Sequence, residues 1–473
     1  MNMPGLRQVD GELALRLLAS AATTEGCCVS REQFDQWLAD RRAAQRMTVR
    51  RIPFAELSGW RFDEATGDLG HHTGRFFTIQ GLSVRTDRPP VPAWTQPIIN
   101  QTEIGVLGIL IREFDGVLHC LMQAKVEPGN VNGIQLSPTV QATKSNYQQV
   151  HGGTAVPYIE FFRDAPAHTV VADVLQSEQG SWFYQKRNRN MVVEVGPEVV
   201  AQEDFIWLTL GQISDLLREP NLVNMDARTV LSCLPYRLLP GPAWTDGSLG
   251  AAIARSSDGT RGGLYTIREI LSWITGAQAE YDGGRELISL GEVRDWQRFD
   301  DRISHETGAY FSVVAVDVTA NAREVRSWSQ PLIEPHGLGQ VALLVCRIEG
   351  VLHALVHSRV EPGFLDVVEL APSVQCAPDS YDHLDDDARP MFLDVVLGSS
   401  AEQTHYDCDL SEEGGRFLNA VSRYRVIEVD AEIGEGAAEY RWMTLYQLTN
   451  LLQFSHYLNV QLRTLVAVLR GLG

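Results

Sequence analysis

The sequence predicts an α+β fold built twice, with mixed or antiparallel sheets and a helical extension at the N-terminus. Three observations predict it: a long internal repeat, β-rich runs joined by Asp-Gly or Glu-Gly turns, and a pair of helical segments closing each half. Residues 94–147 align without a gap to residues 328–381, and 20 of the 54 aligned positions are identical. A repeat of that length is a duplicated domain, not a short solenoid period.

The elements follow in order. A helix is expected over 11–22 behind Asp10, and another over 31–45 with Ser30 as its N-cap; neither has an evident partner in the second half. Strands are expected at 76–86, 105–112, 117–127, 135–143 and 190–196, with counterparts at 310–318, 369–376 and 424–430. Asp115-Gly116 is a two-residue hairpin signal, and Glu349-Gly350 stands at the same place in the second copy. Both hairpins run into Val-Glu-Pro-Gly, at 126–129 and 360–363, where proline removes a ladder donor and glycine permits an unusual backbone angle. Helices close the halves at 209–218 and 225–234, then at 444–454 and 460–469. The glycine-, serine- and proline-rich stretch before residue 264 reads as a linker. The expected division is therefore an extension at 1–50, a first repeat at 51–237, a linker at 238–263 and a second repeat at 264–473.

Composition narrows the function. No apolar run approaches the roughly 18 residues that a membrane span needs, so no membrane association is expected. A formal net charge of -20 argues against nucleic acid, because neutralising phosphates takes a basic face. The N-terminus lacks the pattern of a signal peptide, and seven cysteines without spaced CxxC pairs fit reduced thiols in a cytoplasm. Dinucleotide, Walker, nucleophile-elbow and zinc-peptidase motifs are all missing. His353 and His357 share one strand face but have no acidic or thiol partner nearby in sequence, so no metal site is expected; His119 and His353, matched in the repeat, read as buried, hydrogen-bonded histidines.

Comparing the copies singles out polar residues that follow the strands. The first copy carries Gln141, Thr143, Lys144, Asn146, Tyr147, His151, Gly152 and Gly153, then the cluster Lys186, Arg187, Asn188, Arg189 and Asn190. The second keeps Gln375 and Tyr381 but loses the lysine, the asparagine and the His-Gly-Gly; of the basic cluster it keeps two arginines, Arg423 and Arg425. Trp94, Gln96 and Lys125 match Trp328, Gln330 and Arg359. If one pocket alone works, the first copy has the larger supply of donors and titratable groups.

The combination W-T-Q-P, K-V-E-P-G, S-P-T-V-Q-A-T-x-S-N-Y, V-H-G-G and R-N-R-N-M, with a weaker second copy, resembles the NDP-hexose 2,3-dehydratases of antibiotic deoxysugar biosynthesis. The resemblance implies two tandem Nudix-like α/β/α sandwich domains, although the Nudix metal box is absent from both halves. It further implies a dTDP-4-keto-6-deoxyglucose substrate, loss of the carbon 2 hydroxyl to give a 3,4-diketo sugar, a homodimer, and a downstream NAD(P)H-dependent ketoreductase that captures the product. Such a reaction needs no redox cofactor. It needs a base for the carbon 3 proton, which the carbon 4 ketone acidifies, together with donors to the enolate oxygen and an acid for the departing hydroxyl.

Base and acid each supply about 10² to 10⁴ in rate when their pKa lies near the working pH. A fixed oxyanion donor supplies about 3 kcal/mol. Lys144 and Asn146 are the candidate enolate donors, and His151 or Tyr147 the candidate base. Arg187 and Arg189, with Asn188, suit the diphosphate, since guanidinium forks match its oxygens. Trp94 and Trp328 are candidates to stack on the base, with Gln96, Gln141, Gln330 and Gln375 to read base or sugar. Gly152 and Gly153 complete the first pocket, and Arg359, Tyr381 and Arg423 belong to the second. A metal-dependent nucleotide-sugar hydrolase and a non-catalytic two-site binder are the competing readings.

Overall fold

The computed structural model describes residues 11–25, 28–88, 91–144, 156–166, 169–238, 247–321, 325–385, 388–434 and 436–473. Among them, strands form four sheets of seven, seven, six and five strands, so the chain is a mixed α/β protein. Each repeat builds one seven-stranded sheet around its hairpin. Gly105–Phe114 pairs antiparallel with Val117–Val126, and Gly339–Ile348 with Val351–Val360. Both turn residues have positive φ, 48° and 83° at Asp115 and Gly116, 50° and 77° at Glu349 and Gly350, the twist that a two-residue hairpin requires. The sheets are mixed because Arg187–Glu194 lies parallel to Gly105–Phe114, and Val421–Glu428 parallel to Gly339–Ile348.

The single strand expected at 135–143 is two strands. Ile134–Ser137 pairs with Val117–Val126, and Val140–Ala142 crosses over to Gly105–Phe114. Pro138, without an N–H, cannot continue the ladder, and the Thr139 hydroxyl bridges the gap by donating to the Leu121 carbonyl and accepting from the Leu110 N–H. Ser373 does the same between Leu355 and Leu344.

The stretch expected to be a linker contains a buried helix. Leu249–Ser257, capped by Ser248, places Ala252, Ile253 and Ala254 at 0% exposure. It is the counterpart of Gly11–Ala21: Ser256 Oγ accepts from the Leu445 N–H at 2.7 Å, as Ser20 Oγ accepts from the Leu210 N–H at 2.9 Å. Likewise Ile267–Glu280, capped by Thr266, repeats Arg31–Ala44, capped by Ser30. The helices of the N-terminal extension therefore do have partners. Small residues hid them, because a helix that packs closely through alanine and serine looks in composition like a flexible connection.

The two repeats exchange strands. Met47–Ile52 pairs with Phe311–Ala320 of the second repeat, and Gly284–Ile288 pairs with Thr78–Arg85 of the first. Between the repeats, the helices Met225–Ser232 and Val460–Arg470 pack together, and each buries an arginine at 0% exposure. Arg228 donates to the carbonyls of Val223 at 2.6 Å and Ser411 at 2.7 Å, and to Thr464 Oγ1 at 3.3 Å. Arg463 donates to the carbonyls of Leu458 and Ser177, both at 2.6 Å, and to Thr229 Oγ1.

Beside this pair the repeats differ by one atom type. Gln135 donates to Ser411 Oγ at 2.8 Å, whereas at the matched place Ser177 donates to the Glu369 carboxyl at 2.6 Å. Burial pushes the Glu369 carboxyl up to about 8. Because its folded pKa lies above its unfolded value, the native state holds an extra proton between about pH 4.5 and 8, and stability falls as pH rises through that window. Glu369→Gln, the residue the other repeat uses, is expected to remove a slope of up to about 1.4 kcal/mol per pH unit. Urea midpoints at pH 5 and pH 8 check this: a variant that loses as much stability as the parent over that range contradicts it.

Candidate functional site

In each repeat, the same ends of several strands converge on one mouth. In the first, Gly105 begins its strand against Asn188 and Ala142: a Cβ at Gly105 would lie 2.7 Å from Asn188 Oδ1 and 2.9 Å from the Ala142 carbonyl. Below the mouth sits a frame common to both copies. Gln141 donates to Glu127 Oε1 at 2.8 Å and accepts from Asn224 Nδ2 at 3.0 Å, while Lys125 Nζ donates to the Gln141 carbonyl at 2.9 Å. In the second copy, Gln375 donates to Glu361 at 2.9 Å and accepts from Asn459 at 2.7 Å, and Arg359 donates to Glu361 at 2.8 Å. Gln141 and Gln375 thus have both ends of their amides engaged.

Above that frame the copies part. The first mouth has a buried charged centre. Glu178 accepts from Asn188 Nδ2 at 2.6 Å, and Lys186 Nζ donates to the Glu103 carbonyl. Burial lowers the Lys186 ammonium to about 8. It raises Glu178, and it raises Asp226 well above the carboxylate range with help from Glu178, Glu413 and Glu127. Glu413 is pushed up to about 8, by burial first and then by Glu127. Glu413 and Arg416 come from the second repeat: Arg416 lies over the Phe77 ring at 4.5 Å and donates to Gln101 at 3.2 Å. In the second mouth, Ala420 replaces Lys186, Ser422 replaces Asn188 and Gln461 replaces Asp226. Perturbed groups gathered at one set of strand ends make this the candidate functional site.

Both copies carry an aromatic and imidazole cluster: in the first, His71 packs edge-on against Phe76 at 4.8 Å with His72 at 4.4 Å, and the second adds hydroxyl contacts to its imidazoles. Tyr310 Oη lies 3.0 Å from His383 Nε2, Ser312 Oγ lies 2.9 Å from His336 Nε2, and His305 packs edge-on against Tyr310. Tyr310 has a φ of 68° and its counterpart Phe76 a φ of 75°. Bulky residues held in the left-handed region in both copies are strained, and strain of this kind gathers where ligands are clamped.

One face of each seven-stranded sheet also differs. His357 stacks on Tyr440 at 4.4 Å, and Arg88, from the other repeat, pairs with Glu439 beside them. At the matching positions the first repeat has Gln123, Phe205 and Asp204, and Gln123 and Asp204 line a cleft of about 50 Å³ together with Lys125, Thr139 and Gln141. The second face is plugged. The first is open.

The structure separates the sequence candidates. Lys144 is exposed at the end of Val140–Ala142, at the first mouth. Asn146, Tyr147, His151, Gly152 and Gly153 lie outside the described residues. Trp94 Nε1 donates to Gln96 Oε1 at 2.8 Å, and Gln96 donates to the Ser181 carbonyl at 2.8 Å; Trp328, Gln330 and the Gly415 carbonyl repeat this arrangement at the same distances. These pairs tie a strand to a loop of the mouth. Arg187 is half-buried at the start of its strand, next to Asn188. Arg189 and Arg423 instead form bidentate pairs with Asp173 and Asp407 across neighbouring strands at the surface. Surface pairs of this kind are worth about 0.2–1 kcal/mol, so Arg189→Gln is expected to leave turnover and stability close to the parent's, as melting and initial rates would report.

Tyr381 is half-buried, and Arg359 is among the charges acting on it. His119 and His353 are buried, each with Nδ1 on a backbone carbonyl, at 2.9 and 3.0 Å. Among the described residues, no three His, Cys, Asp or Glu side chains are placed to hold a metal, and no helix is long and apolar enough to cross a membrane. Sequence comparison missed Glu103, Glu178, Glu413 and Arg416 as neighbours of Lys186. The signal that could have found Glu103, Glu413 and Arg416 is that each stands in one copy only, opposite Gly337, Gln179 and Trp182; Glu178 is kept as Glu412 and gave no such signal.

A duplicated α/β protein whose copies share one polar frame but differ in the charge buried above it has the layout of a duplicated enzyme. The chain belongs to the NDP-hexose 2,3-dehydratase family, whose family model matches residues 31–234 and again 267–469. It is 51% identical over 462 residues to a dTDP-4-dehydro-6-deoxy-alpha-D-glucopyranose 2,3-dehydratase of Saccharopolyspora spinosa, covering 97% of this chain and 95% of that one. An Amycolatopsis orientalis protein of the same name is 48% identical over 465 residues, covering 97% and 94% of the two chains. A third, from Streptomyces violaceoruber, is 48% identical over 443 residues, covering 93% and 97%.

Proposed function

We propose that the chain dehydrates dTDP-4-keto-6-deoxyglucose across carbons 2 and 3, and that the first-repeat mouth is where it does so. One observation carries the placement: Lys186, Asn188, Glu178 and Asp226 meet only there, above the frame that both copies share. His151 or Tyr147 takes the proton from carbon 3, and the electron pair moves onto the carbon 4 oxygen, where Lys144 and Asn146 donate. The enolate then expels the carbon 2 hydroxyl, which leaves as water with a proton from the enzyme. The resulting enol, with its hydroxyl on carbon 3, tautomerises to the 3,4-diketo sugar. Neither electrons nor a redox cofactor enter or leave. Arg187 takes the diphosphate, while Lys125 and Lys186 supply donors where anionic oxygens collect.

The second mouth, with Tyr310, Tyr381, Arg359 and the histidines, is an ancillary nucleotide-sugar pocket. Both repeats are Nudix-like units that have lost metal chemistry, and the working form is a cytoplasmic homodimer. The 3,4-diketo product is reactive, so an NAD(P)H-dependent ketoreductase captures it. Incubating the protein with the 4-keto sugar nucleotide, with and without chelator, tests the reading by mass spectrometry. Loss of one water in both arms is expected; release of a sugar phosphate that chelator abolishes would overturn it. Without reductase the product is expected to degrade, and its persistence for hours would contradict the capture step.

A further inference from the structure

We infer that the cleft under the exchanged strand Met47–Ile52 is a binding site for a guanidinium carried on a short alkyl chain. The cleft measures about 330 Å³ and is lined by Met47, Val49, Arg51, Glu127, Asn130, Glu334 and their neighbours, over a floor of Val316 and Leu418. Its volume falls at the lower end of the range of small-molecule pockets.

The other repeat shows what belongs there. Val49 stands opposite Val318 in its ladder and Arg285 opposite Val84 in the matching one, so Val49 and Arg285 are equivalent positions. Arg285 fills its own copy of the cleft and donates to the carbonyl of Phe364, to that of Pro362 at 3.0 Å and to that of Leu365 at 2.7 Å. The turn that presents these carbonyls is built alike in both copies. Gly363 N–H donates to the Gly180 carbonyl and Gly129 N–H to the Gly414 carbonyl, each at 2.7 Å, and Phe364 and Asn130 both donate back to the preceding glutamate.

Three substitutions open the first-repeat cleft: valine for Arg285, Asn130 for Phe364 and Leu418 for Tyr184. The carbonyl cradle of a guanidinium is thereby kept while the guanidinium is removed. The charge balance also favours a cation, since Glu127 and Glu334 line the cleft against Arg51 alone, which already pairs with Glu334 at 3.1 Å. A planar fork of donors on an aliphatic stem matches both the acceptors and the apolar floor.

Calorimetric titration of the intact protein with butylguanidinium, and with its neutral isostere butylurea, tests the site. Butylguanidinium is expected to bind saturably and butylurea at least about tenfold more weakly, because only the cation gains charge-assisted hydrogen bonds. Val49→Arg supplies the guanidinium in cis and Asn130→Phe refills the cleft. Each is expected to abolish binding, and Val49→Arg to raise Tm by about 1–3 °C. Glu334→Gln, at the rim, is expected to weaken binding by about tenfold, so the inference stays testable if either filling variant folds poorly. Equal binding of both ligands, no saturable binding, or binding unchanged in the folded variants would overturn the site.

Discussion

Alanine at Lys144 or at His151 is expected to lower kcat by about 10² to 10⁴, the range lost when a proton carrier or an enolate donor is removed. Alanine at Arg423, in the second repeat, is expected to leave kcat within about twofold, because that guanidinium is held at the surface by Asp407. Single-turnover rates separate the two outcomes from a loss of substrate binding, which dTDP titration of the same variants measures directly. If the Arg423 variant is inactive while the Lys144 and His151 variants turn over, the catalytic mouth belongs to the second repeat.

Arg228→Met is expected to cost about 4 kcal/mol of stability. The guanidinium is fully buried, and its removal leaves the carbonyls of Val223 and Ser411 without their donor at the contact between repeats. The matched change Arg463→Met is expected to cost a similar amount. Each reaches the threonine that follows the other arginine, Arg228 to Thr464 and Arg463 to Thr229, so the double variant is expected to depart from additivity by about 1 kcal/mol or more. Denaturant titration of the four proteins measures the coupling. Simple additivity would show that the two arginines brace the contact independently of each other.

Much of the architecture was legible in the chain. The hairpins at Asp115-Gly116 and Glu349-Gly350 and the N-cap at Ser30 were read from local chemistry and the closing helices from apolar periodicity, and both placed them correctly. The helix Leu249–Ser257 was missed because its burial depends on a partner strand, Val351–Val360, that composition does not reveal. The break at Pro138 was missed because a proline can sit at the end of a strand as well as at a crossover.

The candidate site was legible only as a list of suspects. Lys144 stood out as a residue of one copy, and Lys186 only as one member of a basic cluster. Nothing in the sequence tied Lys186 to Glu103 or Arg416, which are far from it along the chain and reach the mouth on loops from other elements, Arg416 from the other repeat. Arg189 and Arg423 had the right chemistry for a diphosphate, yet each is engaged by an aspartate on the adjacent strand.

By itself the sequence determined that this is a duplicated dehydratase-family chain whose two copies differ in titratable groups, because identity and charge are properties of residues. Only the tertiary structure decided that the copies exchange strands, that the charged centre draws groups from both repeats, and that one cleft stays open where Arg285 closes its twin. The reason is physical. Hydrogen-bonding pattern and burial depend on which strands meet across hundreds of residues of chain, and periodicity constrains a strand's faces without naming its neighbour.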